Sequence, residues 1–236
     1  MTMKISGFQK NSFIDYPGRI ASVLFVPGCN MNCYFCHNRH LLKEDAGTID
    51  IEEVLKFLES RKGFIDAVVF SGGEPTIYPD IGDLMKKMKD MGYLIKLDTN
   101  GMRPEVTEIL IKKGFLSYIA VDIKAPYDKY DMISDKICSI DGLKKTVDLL
   151  IGSGLDYEFR TTFLPSLVIE DIVSIAKEIQ GAKNFYIQQF RALSGQEGII
   201  DFRAGMRPHS KEYVMAAAGE AKKALITTNV AVRGVK

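Results

Sequence analysis

No apolar run in this chain is long enough to cross a bilayer; the longest, Ile20 to Val26, is a third of the length a membrane helix needs. The N-terminal MTMKISGFQK has no apolar segment of the kind a secretory signal carries, so the expected location is the cytoplasm. An excess of either charge is missing as well. With 31 Lys and Arg against 30 Asp and Glu, no global field draws the protein to nucleic acid or to anionic lipid, and neither is expected as a partner. Low-complexity stretches, charge blocks and linker-like segments are missing too, so one domain over 1–236 is expected.

Cysteine is scarce, and its placement excludes a disulfide framework. Three of the four cysteines, Cys29, Cys33 and Cys36, crowd into eight positions, while Cys138 stands alone. In a reducing compartment that pattern reads as a ligand cluster.

What is present is a recurring strand-then-helix pattern. Short β-branched or apolar stretches at Ile20 to Val26, Ala67 to Phe70, Tyr93 to Asp98, Tyr118 to Asp122, Tyr157 to Phe163 and Phe185 to Phe190 read as six strands. Between them, apolar residues recur at helical spacing, as in Ile51/Val54/Leu55/Leu58, Ile81/Leu84/Met85/Met88 and Ile172/Ile175/Ala176/Ile179. Asp50, Pro104 and Asp141 mark helix starts; Gly92, Gly114 and Gly152 mark stops. Strands alternating with helices give parallel strands with right-handed crossovers, and six units predict an α/β fold, a partial (β/α)6 TIM-like barrel. Chemistry then collects at the carboxyl ends of the strands.

The cysteines follow the first strand in Cys29-x3-Cys33-x2-Cys36, on a loop at that edge. Soft thiolates suit iron-sulfur clusters, zinc or copper(I). A cubane takes one cysteine per iron, so three leave one iron open for a ligand. The competing reading is a structural zinc site that adds His37 or His40. Cys138, in Ile137-Cys138-Ser139, reads as a small buried residue rather than a fourth ligand.

With Phe35 in its aromatic slot, C-x3-C-x-aromatic-C resembles the motif of the radical S-adenosylmethionine superfamily. The resemblance implies a 4Fe-4S cluster on Cys29, Cys33 and Cys36, S-adenosylmethionine on the open iron, and reductive cleavage of the sulfonium to a 5′-deoxyadenosyl radical. Phe35 then contacts adenine, where composition alone allows ordinary core packing equally. Ser71-Gly72-Gly73-Glu74-Pro75 resembles the family's GGEP motif: Gly72 and Gly73 let backbone approach the ligand and Glu74 offers a carboxylate to its amine.

Asp98-Thr99-Asn100-Gly101 and Asp122-Ile123-Lys124 end the third and fourth of these strands, and resemble segments of glycyl-radical-enzyme activases. The resemblance implies cosubstrate contacts from Asp98, Thr99, Asp122 and Lys124, and a monovalent cation held by Asp98, Thr99 and Asp122. Arg160, a guanidinium inside a strand, needs an anion, and the cosubstrate carboxylate is the candidate. Gln188 and Gln189 end the sixth strand; alternation turns one of them inward, and Gln189 is the preferred one.

Ser12-Phe13-Ile14-Asp15-Tyr16-Pro17-Gly18 and the Cys36-His37-Asn38 tail also resemble these activases. The D-Y-P-G form is most similar to the group that activates anaerobic ribonucleoside-triphosphate reductase. That resemblance implies hydrogen abstraction from a backbone glycine of such a reductase, with reduced flavodoxin or ferredoxin as electron donor. Asp15 would orient the glycine loop, or simply cap its own turn. The alternatives are an activase of the pyruvate formate-lyase type, a radical enzyme acting on a small molecule, and a zinc-stapled binding protein. Ala192 to Pro208, polar and glycine-containing, reads as a lid or docking surface.

Overall fold

The computed structural model describes residues 3–43, 49–192 and 206–235. Among the described residues, eight strands follow one another across one sheet in chain order, and that order does not return from the last to the first. All six expected strands are there: β2 (Ala21–Val26), β3 (Ala67–Gly72), β4 (Leu94–Thr99), β5 (Tyr118–Asp122), β6 (Asp156–Phe163) and β7 (Asn184–Gln189). Two edge strands extend the expected set, β1 (Gly7–Ser12) and β8 (Asn229–Arg233). The α/β class with mostly parallel strands is thus as expected. The chain divides into two compact units, with β5 contributing to both.

The first unit holds residues 1–32, 38–120 and 139–156. Its strand β1 runs antiparallel to β2, Phe8 opposite Leu24, and β2, β3 and β4 are parallel with Val23, Val69 and Lys96 in register. Among its described residues are the α-helices α1 (Ile51–Ser60), α2 (Ile81–Asp90), α3 (Pro104–Lys112) and α4 (Ile140–Gly152). Asp50 starts α1 as expected, its side chain accepting the Glu52 amide, and Pro104 opens α3. The cap of helix α4 lies two residues before the expected Asp141, at Ser139, whose side chain accepts the Gly142 amide. Each helix buries one stripe, such as Val54, Leu55 and Leu58 of α1. Tyr16, Ala21, Val23, Ala67, Val69 and Tyr118 form an apolar cluster on one face of the strands.

The second unit holds residues 33–37, 121–138 and 157–236. Strands β6, β7 and β8 are parallel, with Arg160 opposite Tyr186 and Gln188 opposite Arg233. Helix α5 (Ile169–Glu178) starts where the Asp171 carboxylate accepts the Val168 amide at 3.1 Å, and α6 (Lys211–Ala224) starts at Ser210. Most of the Ala192 to Pro208 segment, expected as a lid or docking surface, lies outside the described residues. Among the described residues, no helix is long and apolar enough to cross a membrane.

Candidate functional site

In the first unit, two glycines clamp the root of the cysteine loop to the end of β3. Gly72 has φ +110°, and a Cβ there would lie 2.5 Å from the Val26 amide nitrogen. A Cβ on Gly73 would lie 1.8 Å from the Gly28 carbonyl oxygen. Only glycine permits so close an approach. The contact is completed by hydrogen bonds: Gly73 N donates to Val26 O and Glu74 N to Gly28 O, both at 2.8 Å. Cys29 therefore begins its loop directly beside the Gly-Gly-Glu turn. Its sulfur accepts the Met31 amide at 3.4 Å, and the Asn100 side-chain nitrogen stands 4.0 Å away. Asn100 also donates to Asn30 at 2.7 Å, which ties the end of β4 to the same loop.

Glu74 is 1 % exposed, and its carboxylate is turned inward, where the sequence reading turned it toward a ligand amine. One oxygen accepts from Thr76 N at 3.1 Å, Thr76 Oγ1 at 2.6 Å and Thr99 Oγ1 at 2.7 Å; the other accepts from Asn100 N at 2.7 Å. Burial pushes its pKa up, and the donors only partly offset that. Glu74 thus braces the turn against the end of β4, and Thr99, whose hydroxyl also receives the Gly101 amide, belongs to the brace.

Asp98 lies beside Lys96, which donates to it at 2.7 Å, and Ser71 approaches its other oxygen at 3.4 Å. Asp15 accepts from the Ser12 hydroxyl, whose oxygen in turn receives the Ile14 and Asp15 amides. That is the local turn weighed against a substrate-orienting role.

In the second unit, Cys33 is buried and pairs as an isolated antiparallel bridge with Ser134, while the Cys36 amide donates to Cys33 O at 3.1 Å. Burial raises the Cys33 pKa, and Lys124 opposes that shift without cancelling it. Phe35 is 6 % exposed, with the Lys124 ammonium 5.7 Å from its ring centre and Tyr34 edge-on. Lys124 also lies 3.5 Å from Asp122, whose other oxygen receives Arg160 Nε at 2.8 Å. Burial alone would raise the Asp122 pKa; Arg160 and then Lys124 bring it below the ordinary carboxylate value. Arg160 thus finds its anion in Asp122. Gln189 donates to the His209 carbonyl at 2.8 Å. The register sets Gln188 on the face of Tyr186 and Arg160, and Gln189 on the opposite one. Cys138 is half-buried rather than fully buried, with its thiol 3.4 Å from Lys136 O.

His37 and His40 are exposed, and among the described residues no three His, Cys, Asp or Glu side chains lie close enough to hold one metal ion. The three groups named for a monovalent cation have protein partners: Lys96 for Asp98, Glu74 for Thr99, and Arg160 with Lys124 for Asp122. A cubane takes each thiolate on a separate iron, and the soft donors Cys29, Cys33 and Cys36, with an amide aimed at the Cys29 sulfur, suit that group chemically.

Sequence reasoning missed Lys96, Glu158 and Arg233. Lys96 carried a signal, a lone charge in the apolar stretch Leu94 to Leu97. The other two meet only through the sheet register.

The family model described as the Radical SAM superfamily matches residues 23–179. A protein of Methanocaldococcus jannaschii, provisionally named a glycyl-radical enzyme activating enzyme, is 35% identical over 100% of this chain and 98% of its own length. The pyruvate formate-lyase-activating enzyme of Clostridium pasteurianum is 28% identical, over 80% of this chain and 83% of its own. Among solved structures, Streptococcus suis SuiB bound to S-adenosylmethionine superposes with TM-score 0.68 at 16% identity. That match covers 90% of this chain and 52% of SuiB, so the chain spans about half of that protein and shares its fold.

Proposed function

We propose that this chain, which belongs to the radical S-adenosylmethionine superfamily, activates a glycyl radical enzyme by removing one hydrogen atom from a backbone glycine Cα of that partner. The observation that carries the reading is the clamp of the Cys29 loop root onto Gly72-Gly73-Glu74, made by the Glu74 amide on the Gly28 carbonyl at 2.8 Å. It holds the loop that begins at Cys29 against the Gly-Gly-Glu turn, the two segments this reading assigns to the cluster and to its cosubstrate. The two curated relatives described above, one matching from end to end, support the activase class.

Cys29, Cys33 and Cys36 would hold the 4Fe-4S cluster, which when bound supplies the electron and the open iron site for cleaving S-adenosylmethionine. The chain's own residues prepare the surroundings. In the second unit, Lys124 and Asp122 present a fixed pair of opposite charges beside the Phe35 ring, and Gln188 shares the face of Arg160. The Lys124 amide donates to the hydroxyl of buried Tyr130 at 2.9 Å, which fixes the backbone from which the Lys124 side chain leaves.

The partner we infer is an anaerobic ribonucleoside-triphosphate reductase, from the Asp15-Tyr16-Pro17-Gly18 form of the entry segment, with reduced flavodoxin or ferredoxin as donor. The Clostridium pasteurianum relative favours a second reading, a pyruvate formate-lyase partner. Anaerobic chain, loaded with iron and sulfide and reduced, is mixed with S-adenosylmethionine and each candidate partner in turn. Release of 5′-deoxyadenosine together with a glycyl radical in the electron spin resonance of the reductase is the expected result. A radical only in the lyase moves the partner assignment. Cluster formation without any 5′-deoxyadenosine overturns the proposal.

A further inference from the structure

The second unit contains a chain of charges that the site as described does not use in full. Glu158, in β6, has a side chain 2 % exposed. Both of its oxygens are taken by Arg233 of β8, Nη1 to Oε1 and Nη2 to Oε2, each at 2.8 Å. Such a two-pronged pair fixes direction as well as distance. The Arg233 guanidinium is held from the other side by the Tyr186 ring, its centre 3.4 Å from Cζ. Two residues along β6, Arg160 shares the same face. Its Nε is on Asp122 at 2.8 Å, while its Nη1 lies 3.9 Å from the Oε1 of Glu158.

Arg160 therefore stands between two carboxylates, closer to Asp122 than to Glu158 in these two contacts. A buried carboxylate without a partner takes the nearest cation. Glu158 already receives Arg233 on both of its oxygens.

We propose that Arg233 is a positioning residue: by saturating Glu158 it keeps Arg160 turned to Asp122, and so fixes where Asp122 and Lys124 present their charges to the cosubstrate. The inference rests on the reading of this face as an S-adenosylmethionine site. Without Arg233, the Arg160 guanidinium swings to Glu158, Asp122 loses its 2.8 Å partner and closes on Lys124. The Lys124 ammonium is then drawn away from the Phe35 ring.

The decisive comparison is a double-mutant cycle on cluster-loaded, unreduced enzyme, reading S-adenosylmethionine affinity by equilibrium dialysis alongside the urea midpoint. Arg233→Met is expected to weaken binding by about tenfold, within the usual range for directly coupled neighbours. Arg233→Met combined with Glu158→Gln is expected to regain most of that affinity, because the competing carboxylate is gone, although the double variant has lost one more ionic contact. A purely structural role for Arg233 moves the urea midpoint alone: variants that the midpoint shows to be folded under the binding conditions then bind S-adenosylmethionine as wild type does. Should Arg233→Met not accumulate, Arg233→Lys replaces it: a lysine cannot hold both oxygens, so it weakens binding, and Glu158→Gln restores it. Equal affinity of wild type and the Arg233 variants, or a double variant as weak as the single one, overturns the inference alone. Absence of binding by the cluster-loaded wild type overturns the cosubstrate reading and the inference with it.

Discussion

The Lys96 ammonium lies 2.7 Å from the Asp98 carboxylate, with the lysine side chain 3 % and the aspartate 14 % exposed. The two are neighbours on one face of β4, and the lysine also stands 5.9 Å from the centre of the Tyr118 ring. Charges this far from water persist only as partners, so the loss of one is felt as the exposure of the other to an apolar surrounding.

Lys96→Met is accordingly expected to destabilise the chain by about 3–5 kcal/mol, whereas Lys96→Met with Asp98→Asn recovers most of that loss. Urea unfolding of the three proteins checks it. A single variant as stable as the double would mean that Asp98 finds another counter-charge or reaches solvent.

Gly73→Ala tests the clamp. A methyl group at 1.8 Å from the Gly28 carbonyl oxygen cannot be accommodated by a rotamer change, since the obstacle is backbone. We expect a loss of about 3 kcal/mol or more, together with poor uptake of iron and sulfide, because the root of the Cys29 loop is forced off β3. Gly92→Ala, at a position with φ +99° and open space around it, serves as the comparison: it strains backbone without touching the loop and leaves cluster uptake unchanged.

Much of this architecture is legible in the sequence, and the exceptions have a common cause. The six inner strands announce themselves by apolar content, Ala67 to Phe70 and Tyr118 to Ala120 being fully or nearly fully buried. Strand β1, Gly-Phe-Gln-Lys-Asn-Ser, has neighbours on one side only and keeps polar residues at the edge, so it lacks that mark. Strand β8 is short and no more than half-buried for the same reason. At the site, the cysteine spacing and the paired glycines were readable because each is demanded by local chemistry. The inward turn of Glu74 was not, since it depends on donors from Thr99 and Asn100 on the next strand. The Glu158 and Arg233 pair spans 75 residues and exists only through register.

Glu74→Gln examines that inward turn. The native carboxylate receives a backbone amide on each oxygen, Thr76 N on one and Asn100 N on the other. An amide side chain must set its own NH2 against one of these donors, leaving a buried group unsatisfied at a cost of about 1–3 kcal/mol. Thermal unfolding of cluster-free chain reads this directly, without reference to activity. A stability equal to wild type would show that Glu74 is not the brace, and would return it to a ligand-facing role.

The alkaline side of the stability profile follows from three groups in the second unit. Burial raises the pKa of Cys33 and of Cys138, and raises that of Tyr130 well above its ordinary value. In the unfolded chain each titrates normally. A group with its folded pKa raised contributes stability in full below the unfolded pKa, and loses it as pH climbs through the folded one. Cluster-free chain is therefore expected to lose stability as pH rises through the thiol range and on toward that of tyrosine. Replacing Cys33 by serine, which has no proton to lose there, is expected to flatten the first part of that fall and leave the tyrosine part in place. Iron ligation needs the Cys33 thiolate, so the same burial predicts that cluster assembly by wild-type chain proceeds further as pH rises across the thiol range. Parallel thermal scans and iron-uptake assays at stepped pH check both, and a profile that is unaffected by Cys33→Ser would remove the buried thiol from the explanation.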